Sequence, residues 1–472
     1  MALFAKGSAI NSHGSLEFYG TSVQDLLEKY GSPLYVVDTD EVRERAQYFV
    51  NTATEAFHNT TVHVSYAGKA LLTKRLVRIM LETGMHIDTC TMGEMRIALA
   101  AGAPGRRLVL HGNNKSYEEL ELAIREDFDK IVVDEPQEPA RIAAIAKRLG
   151  TRARVMLRVS AGIHAGGHEF ISTAHEDQKF GVALLSPTQN QTVPDFDNVS
   201  RETLEVLRTS PALRVLQEIL KYPELELVGI HSHIGSNIHD ADAFMQAAKR
   251  MMALRKTLYC TDAYTLPEVD LGGGYSVAYL EDEDSMDIAL ELQKLAQSVK
   301  ETNAQLGMPM PVISFEPGRW IIAPTGCTLY TVGTTKTVQL PDGTYDSKGN
   351  LIHQRRYISV DGGMSDNIRP ALYGAEYTAV LANRTSESEP VLSRIVGMHC
   401  ESGDILVHER YLPQDITRGD ILAIPLTGAY GRTMASNYNQ ALFPAVVAVS
   451  KQGSSVMLRR QTIEDLLEYD QD

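Results

Sequence analysis

Cysteine and tryptophan are scarce in this chain, positive charge is in deficit, and long apolar runs are missing. Four cysteines, Cys90, Cys260, Cys327 and Cys400, are spread over 472 residues with no C-x-x-C pair. That spacing argues against a disulfide framework or a thiolate zinc site, so reduced thiols and no metal are expected. Lys and Arg total 45 against 60 Asp and Glu, a formal charge of −15. Such a balance disfavours polyanions, and neither nucleic acid nor an anionic membrane surface is expected as a partner. No apolar run is long enough to span a bilayer, and the opening MALFAKGSAINSHGS lacks the apolar core of a signal peptide. A cytoplasmic protein is therefore expected. Apolar residues make up 43% and charged residues 22%, an ordinary globular composition, and the length predicts two domains.

What is present is an alternation. From about residue 60 to 320, β-rich runs (VHVSYAGK, MHIDTC, RLVLHG, KIVVDE, RVMLRVS, LVGIHSHIG, EVDLGGGY and VISFEPGR) are separated by segments such as TKRLVRIMLETG, GEMRIALAAG and PARIAAIAKRLG. The latter carry apolar residues at three- and four-residue spacing and stop at Gly. Eight strands separated by helices predict an α/β fold, a closed (β/α)8 TIM-like barrel over 46–322. After about residue 323 the runs CTLYTVGTTKTVQL, RRYISVDGG and DILAIPLTGAYG, joined by PDG and SKGN turns, predict a second, mostly β domain. The strand-like SPLYVVD precedes the barrel and can join that sheet, which gives a discontinuous domain of 1–45 and 323–472. Residues 186–202, SPTQNQTVPDFDNVSRE, are polar and turn-rich and are expected to be mobile.

In such barrels the chemistry sits where strands end. Lys69, Asn113, Asn114, His231, His233, the triple glycine and the segment Glu316 to Arg319 all fall there. The glycines of DLGGGYS allow backbone N–H groups to approach an anion without side-chain obstruction, although such a run by itself is more often just a tight turn. One strand later, EPGR adds Gly318 and Arg319, which favours a phosphate-bearing ligand. Lys69 in SYAGKA is either a solvated rim residue or a Schiff-base amine whose ammonium is weakened by desolvation. Lysine, phosphate seat and buried carboxylate together suit pyridoxal 5′-phosphate.

The motifs YAGKA, HGNNKS, HSHIGSNI, DLGGGY, EPGR, VDGGMSDNIRPALYG, CESGD and GAYG…SNYN closely resemble those of the diaminopimelate decarboxylases, alanine-racemase-fold enzymes built from a barrel and a β-domain. The resemblance spans nearly the whole chain. It implies pyridoxal 5′-phosphate on Lys69, His233 stacked on its ring, and Ser236, Gly273, Gly274, Gly318 and Arg319 at its phosphate. His231, one pleat earlier, is expected to point to the opposite face as a core residue.

Fold alone leaves racemase, decarboxylase and noncatalytic carrier open. In the resembling decarboxylases the residue matching Glu316 bonds the pyridine nitrogen and stabilises the pyridinium electron sink, where alanine racemases place Arg. A structural salt bridge is the competing reading of Glu316. Arg369 and Tyr373 of NIRPALYG, with Arg319, resemble the family's clamp for the substrate's distal carboxylate. Glu401 matches the residue that binds the distal ammonium, where ornithine decarboxylases carry Asp and lack the clamp. Tyr430 of GAYG resembles a contact shared by cofactor and substrate. A thiol beside Glu401 and close to Asp404 is expected to keep its proton, and Cys400 resembles the family's general acid, supplied by the partner subunit. The expected reaction is decarboxylation of the small amino acid meso-2,6-diaminopimelate to L-lysine, in a homodimer with shared active sites. Three features depart from the family pattern: Gln178 before KFG, the 186–202 stretch, and SNYNQALFPA without an Arg-rich continuation.

Overall fold

Eight parallel strands close into a ring in the computed structural model, which describes residues 3–163, 178–186, 189 and 193–471. They are β1 (Val62–Ala67), β2 (His86–Thr89), β3 (Leu108–Leu110), β4 (Lys130–Val133), β5 (Ala153–Ser160), β6 (Leu225–His231), β7 (Glu268–Asp270) and β8 (Val312–Phe315). Each pairs in parallel with the next, and Ile313 of β8 registers against Val62 of β1 to complete the barrel. Short runs rich in Val, Ile and Leu suit strands covered on both faces. Tyr66, Ile87, Leu110, Val155, Val269 and Phe315 are fully buried, each worth about 1.5–3 kcal/mol of hydrophobic stabilisation.

The connecting helices start and stop where local chemistry directs. Thr73 caps Lys74–Glu82 by accepting from Leu76 N–H, and Ser116 with Glu119 forms a capping box before Tyr117–Arg125. Gly150, at φ 67°, ends Glu138–Leu149 in the left-handed region. At the N-terminal end of the barrel Lys130 is buried among carboxylates. Its Nζ bonds Oε1 of Glu268 and lies 3.3 Å from Oδ2 of Asp129. Ser314 Oγ donates to the same Glu268 oxygen, and His63 Nδ1 lies 3.6 Å from it.

Two units divide the chain, Arg45–Ser276 with Ser285–Trp320, and Met1–Glu44 with Val277–Asp284 and Ile321–Asp472. The short excursion of 277–284 into the second unit is invisible to a reading of composition. That unit is built on a sheet ordered Ile405–Pro413, Pro390–Val396, Gln354–Val360, Gly326–Gln339, Leu34–Asp38, Ala445–Ser450, Gly453–Leu458. Leu34–Asp38, the SPLYVVD strand, lies between Gly326–Gln339 and Ala445–Ser450. Leu34, Val36, Leu329, Ala423 and Val447 pack there with Leu16, Phe18 and Leu26 from the N-terminal segment.

Of the 186–202 stretch, residues 187–188 and 190–192 lie outside the described residues. Within 193–200 Asp195 Oδ1 accepts from the N–H groups of Asp197 and Asn198 at 2.8 and 3.1 Å, and Ser200 caps the helix Arg201–Leu207. Among the described residues no helix is long and apolar enough to cross a membrane.

Candidate active site

The C-terminal ends of the barrel strands gather most of the barrel residues singled out in the sequence. Lys69 sits in a single 3-10 turn, Gly68–Ala70, directly after β1. Its neighbours Gly68 and Ala70 are buried, but Lys69 itself is exposed. In the chain alone this side chain is solvated at the barrel rim, because the turn directs it out of the apolar strand.

Beyond β6 the chain leaves the strand, and His233 and Ser236 follow. Nδ1 of His233 accepts from Gly273 N–H at 3.2 Å, which leaves the proton of the neutral ring on Nε2. Burial, then the Lys69 ammonium, holds His233 well below the usual imidazole range. The glycine turn after β7 is tightly bound: Gly272 N–H donates to Asp270 Oδ1, and Gly272 C=O accepts from Glu316 N–H, both at 2.9 Å. A Cβ on Gly273 would stand 2.0 Å from the Glu316 carbonyl oxygen, and one on Gly274, at φ 112°, 2.3 Å from that of Gly235. Only glycine fits either place. The Pro317 carbonyl, one residue before Gly318, accepts from Ala67 N–H at 3.2 Å, and buried Arg319 donates from Nη2 to Ser236 Oγ at 2.9 Å.

Glu316 follows β8 and lies between two imidazoles. Its Oε1 is 3.0 Å from Nε2 of His111 and its Oε2 is 3.2 Å from Nε2 of His231. The two rings meet edge to face with centroids 5.2 Å apart. Burial alone would raise Glu316, but the two histidines outweigh it and hold the carboxyl well below its usual range. For His111 burial works against charge, and Glu316 with Asp88, 3.7 Å away, pushes it up to about 10. Burial pulls His231 down to about 4. Asp88 is pushed up to about 6 by burial and by the charge of Glu316, and Asp270 is raised for the same two reasons.

These contacts correct the placement of His231. It is buried, at 1% exposure, but it faces the same charge centre as the other strand-end residues. Residues two apart in a strand share a face, and β6 ends at His231, so no alternation separates it from His233. Asn113 and Asn114 are exposed, and Lys115 of the same motif is structural, its buried Nζ donating to Gly112 C=O, Val132 C=O and Glu138.

In the second unit the motifs VDGGMSD, HCESGD and SNYN converge on His399, a residue not singled out in the sequence. Its Nε2 lies 2.7 Å from Ser365 Oγ and its Nδ1 3.1 Å from Asn439 Oδ1. Asp404 accepts from Met364 N–H at 2.6 Å and from His399 N–H at 2.9 Å. Its carboxylate thus fastens the turn that carries Cys400. Cys400 and Glu401 are both exposed on this turn, and the four cysteines form no disulfide. Arg369 and Tyr373 lie four residues apart on one short helix. Arg369 is buried, bonds Tyr377 Oη, and stands 4.9 Å from the Tyr279 ring centroid. Tyr430 adopts φ 59°, a left-handed conformation costly for a bulky residue.

The sequence reading passed over His111 and Asp88. The available signal was position: His111 is the first residue after β3, and Asp88 lies in the last half of β2, where barrels carry chemistry. A buried carboxylate kept charged, an exposed amine at another strand end of the same barrel, a glycine turn and a buried guanidinium can together bind a phosphorylated heteroaromatic ring and neutralise charge at its nitrogen.

Known proteins point the same way. The family described as pyridoxal-dependent decarboxylase, pyridoxal binding domain, matches residues 40–204 and 207–323. The chain is 41% identical to diaminopimelate decarboxylase of Corynebacterium efficiens, over 96% of this chain and 91% of that one. It is 37% identical to that of Bacillus subtilis, over 98% and 96%. Among solved structures, diaminopimelate decarboxylase from M. jannaschii in complex with L-lysine superposes with TM-score 0.81 at 27% identity, covering 99% of this chain and 98% of that one. The Helicobacter pylori enzyme, also with L-lysine, gives 0.78 at 28% over 94% and 98%. The chain belongs to the diaminopimelate decarboxylase family of pyridoxal-dependent decarboxylases.

Proposed function

We propose that this protein decarboxylates meso-2,6-diaminopimelate to L-lysine and CO2, the last step of lysine biosynthesis, with pyridoxal 5′-phosphate held on Lys69. The observation that carries this reading is the charged Glu316 carboxylate, fixed by His111 and His231 at the end of β8. The residues fit the cofactor. Ser236, Arg319, Gly318 and the glycine turn of Gly273 and Gly274 supply donors and close backbone approach for a phosphate. Neutral His233 offers its ring to stack without adding charge, and Glu316 suits a ring N–H. When bound, the cofactor supplies an electron sink for the pair left by departing CO2.

The other roles fall to the second unit. Arg369 and Tyr373, with Arg319, bind the distal carboxylate, Glu401 takes the distal ammonium, and Tyr430 contacts cofactor and substrate. A zwitterion at the far end selects diaminopimelate over plain basic amino acids. Cys400 delivers its Sγ proton to the carbon that has lost CO2. The active form is a homodimer in which Lys69 of one chain works with Cys400 and Glu401 of the other. Residues 46–322 form the cofactor-binding domain, and 1–45 with 323–472 carry substrate and dimer contacts. The protein works in the cytoplasm and uses neither nucleic acid nor membrane.

The test is incubation of the cofactor-loaded protein with diaminopimelate isomers and with lysine, followed by assay of CO2 and L-lysine. Equimolar CO2 and L-lysine from the meso isomer is the expected result. CO2 released from lysine in preference to diaminopimelate would overturn the substrate assignment.

A further inference from the structure

We propose that His111 is a positioning residue for this reaction: lodged as a cation between Asp88 and Glu316, it keeps Glu316 charged and aimed at the cofactor's ring nitrogen. This rests on the reading of Glu316 as the partner of that nitrogen. Three strands build the arrangement. Asp88 comes from β2, His111 follows β3 and Glu316 follows β8, with His111 Nε2 3.0 Å from Glu316 Oε1 and 3.7 Å from Asp88 Oδ1.

Charge at this end of the barrel explains why the imidazole has to be cationic. Glu316 is buried in company with Asp88 of β2 and Asp270 of β7, two carboxyl groups whose charge repels its own. The opposing groups at this end are Arg158 of β5 and the two histidines, and Lys130 of β4 acts on Asp88 from the other end of the barrel. His231 cannot supply the cation, since burial holds it neutral near physiological pH, and it serves Glu316 as a hydrogen-bond donor at 3.2 Å. His111 stands between two of the three carboxyls and is pushed toward the charged form by both. A Glu316 held so acidic competes poorly for a proton shared with a ring nitrogen. The proton stays on the ring, and the pyridinium remains the better electron sink.

A neutral polar side chain in the same place would keep a polar group against Glu316 and lose the charge, so His111→Gln isolates the effect of charge. The first measurement uses the cofactor-free protein labelled with imidazole-15N histidine, the His111 signal being the one lost in His111→Gln. The expected His111 stays doubly protonated through pH 8 and deprotonates near pH 10. In Glu316→Gln it falls toward the ordinary value of about 6.5. A His111 that titrates at or below the ordinary value, or that ignores Glu316→Gln, overturns the proposal. The second measurement uses the loaded enzyme. His111→Gln is expected to lower kcat by about 10–100-fold, the usual effect of removing an outer-shell partner, with KM changed by less than about 3-fold. Its absorption spectrum should shift toward the unprotonated ring form. Wild-type kcat and spectrum in His111→Gln overturn the proposal as well. Where His111→Gln does not fold, Asp88→Asn replaces it, with a lowered His111 titration expected and an unmoved one overturning. The two readings fail separately: a cationic His111 without diaminopimelate turnover sinks only the substrate assignment, and turnover with a neutral His111 sinks only this role.

Discussion

Arg319 Nη2 donates to Ser236 Oγ at 2.9 Å although 83 residues separate the two in the chain. The bond ties the loop after β8 to the loop after β6, and it sets a hydroxyl and a guanidinium side by side at the rim of the barrel. Two such donors make a seat for a dianion. Ser236→Ala removes one hydrogen bond to a charged group, worth about 1.5–3 kcal/mol, so cofactor affinity measured by equilibrium dialysis should weaken about 10–100-fold. Unaltered affinity would remove Ser236 from the anion seat.

Glu316→Gln and Lys69→Ala should fail in different ways. Loss of one preorganised electrostatic partner costs on the order of 10²–10³ in rate, so Glu316→Gln should keep the cofactor and lose turnover by that factor. Lys69→Ala should lose the absorption band at the edge of the visible that a lysine-held cofactor gives. An unchanged spectrum in Lys69→Ala, or full turnover in Glu316→Gln at full occupancy, would contradict the assignment of that residue.

The roles proposed for Arg369 and Glu401 at the far end of the substrate make a prediction about specificity. An unpaired polar group in a desolvated pocket costs roughly 1–3 kcal/mol, so Arg369→Ala and Glu401→Ala should each cut kcat/KM for diaminopimelate about 10–100-fold. The comparison that matters is with lysine-like amino acids. If neither change narrows the preference for diaminopimelate, both residues lie outside the specificity pocket.

The proposed homodimer with shared sites makes a quantitative prediction for mixed mutants. Lys69→Ala and Cys400→Ala homodimers each have two damaged sites, but a hybrid concentrates both lesions in one site and leaves the other intact. Random reassortment makes half the dimers hybrids with one good site in two, so activity should recover to about a quarter of wild type. The mutants would be dissociated mildly, mixed, reassociated and assayed beside unmixed controls. Absence of recovery, with hybrids detected by mass spectrometry, would place Lys69 and Cys400 in one chain's site.

The buried Lys130–Glu268 pair at the opposite end of the barrel should contribute to acid stability. Burial opposes charge on Glu268, but Lys130 and His63 outweigh it and hold the carboxyl down at about 2. A folded value below the unfolded one, about 4.3, means that the stabilisation is complete above roughly pH 5 and is lost as pH falls toward 2. Glu268→Gln should lose about 3–5 kcal/mol at neutral pH, because it leaves a buried ammonium short of its partner. Denaturant unfolding between pH 2 and 7 should then show a flatter pH dependence than wild type. Equal slopes would rule out Glu268 as the titrating group.

Much of this architecture could be read from residue order. Each barrel strand is a short run such as KIVV or VISF, and the helices between them carry their own start signals in Thr73 and Ser116. The strand-end rule then led to Lys69, the glycine turn, Glu316 and Arg319 without any knowledge of distances. His111, which opens HGNNKS directly after β3, obeys the same rule, and so does His231, because residues two apart along a strand share a face.

His111 shows where sequence stops. Its identity and its place after a strand were legible, but its charge was not, because charge depends on which groups ring closure brings within a few ångströms. Strand periodicity says that Asp88, His111, His231 and Glu316 lie at strand ends; only the closed barrel puts Glu316 at 3.0 and 3.2 Å from two imidazoles. His399 is the same case in the second unit, where Ser365 and Asn439 come from two separate motifs. Local composition determined the elements, their order and the kind of ligand, since those follow from side-chain periodicity and turn chemistry. The ionisation of Glu316, the neutrality of His231 and the anchoring of Asp404 were decided by tertiary structure alone, since desolvation and Coulomb interaction act through space and ignore separation along the chain.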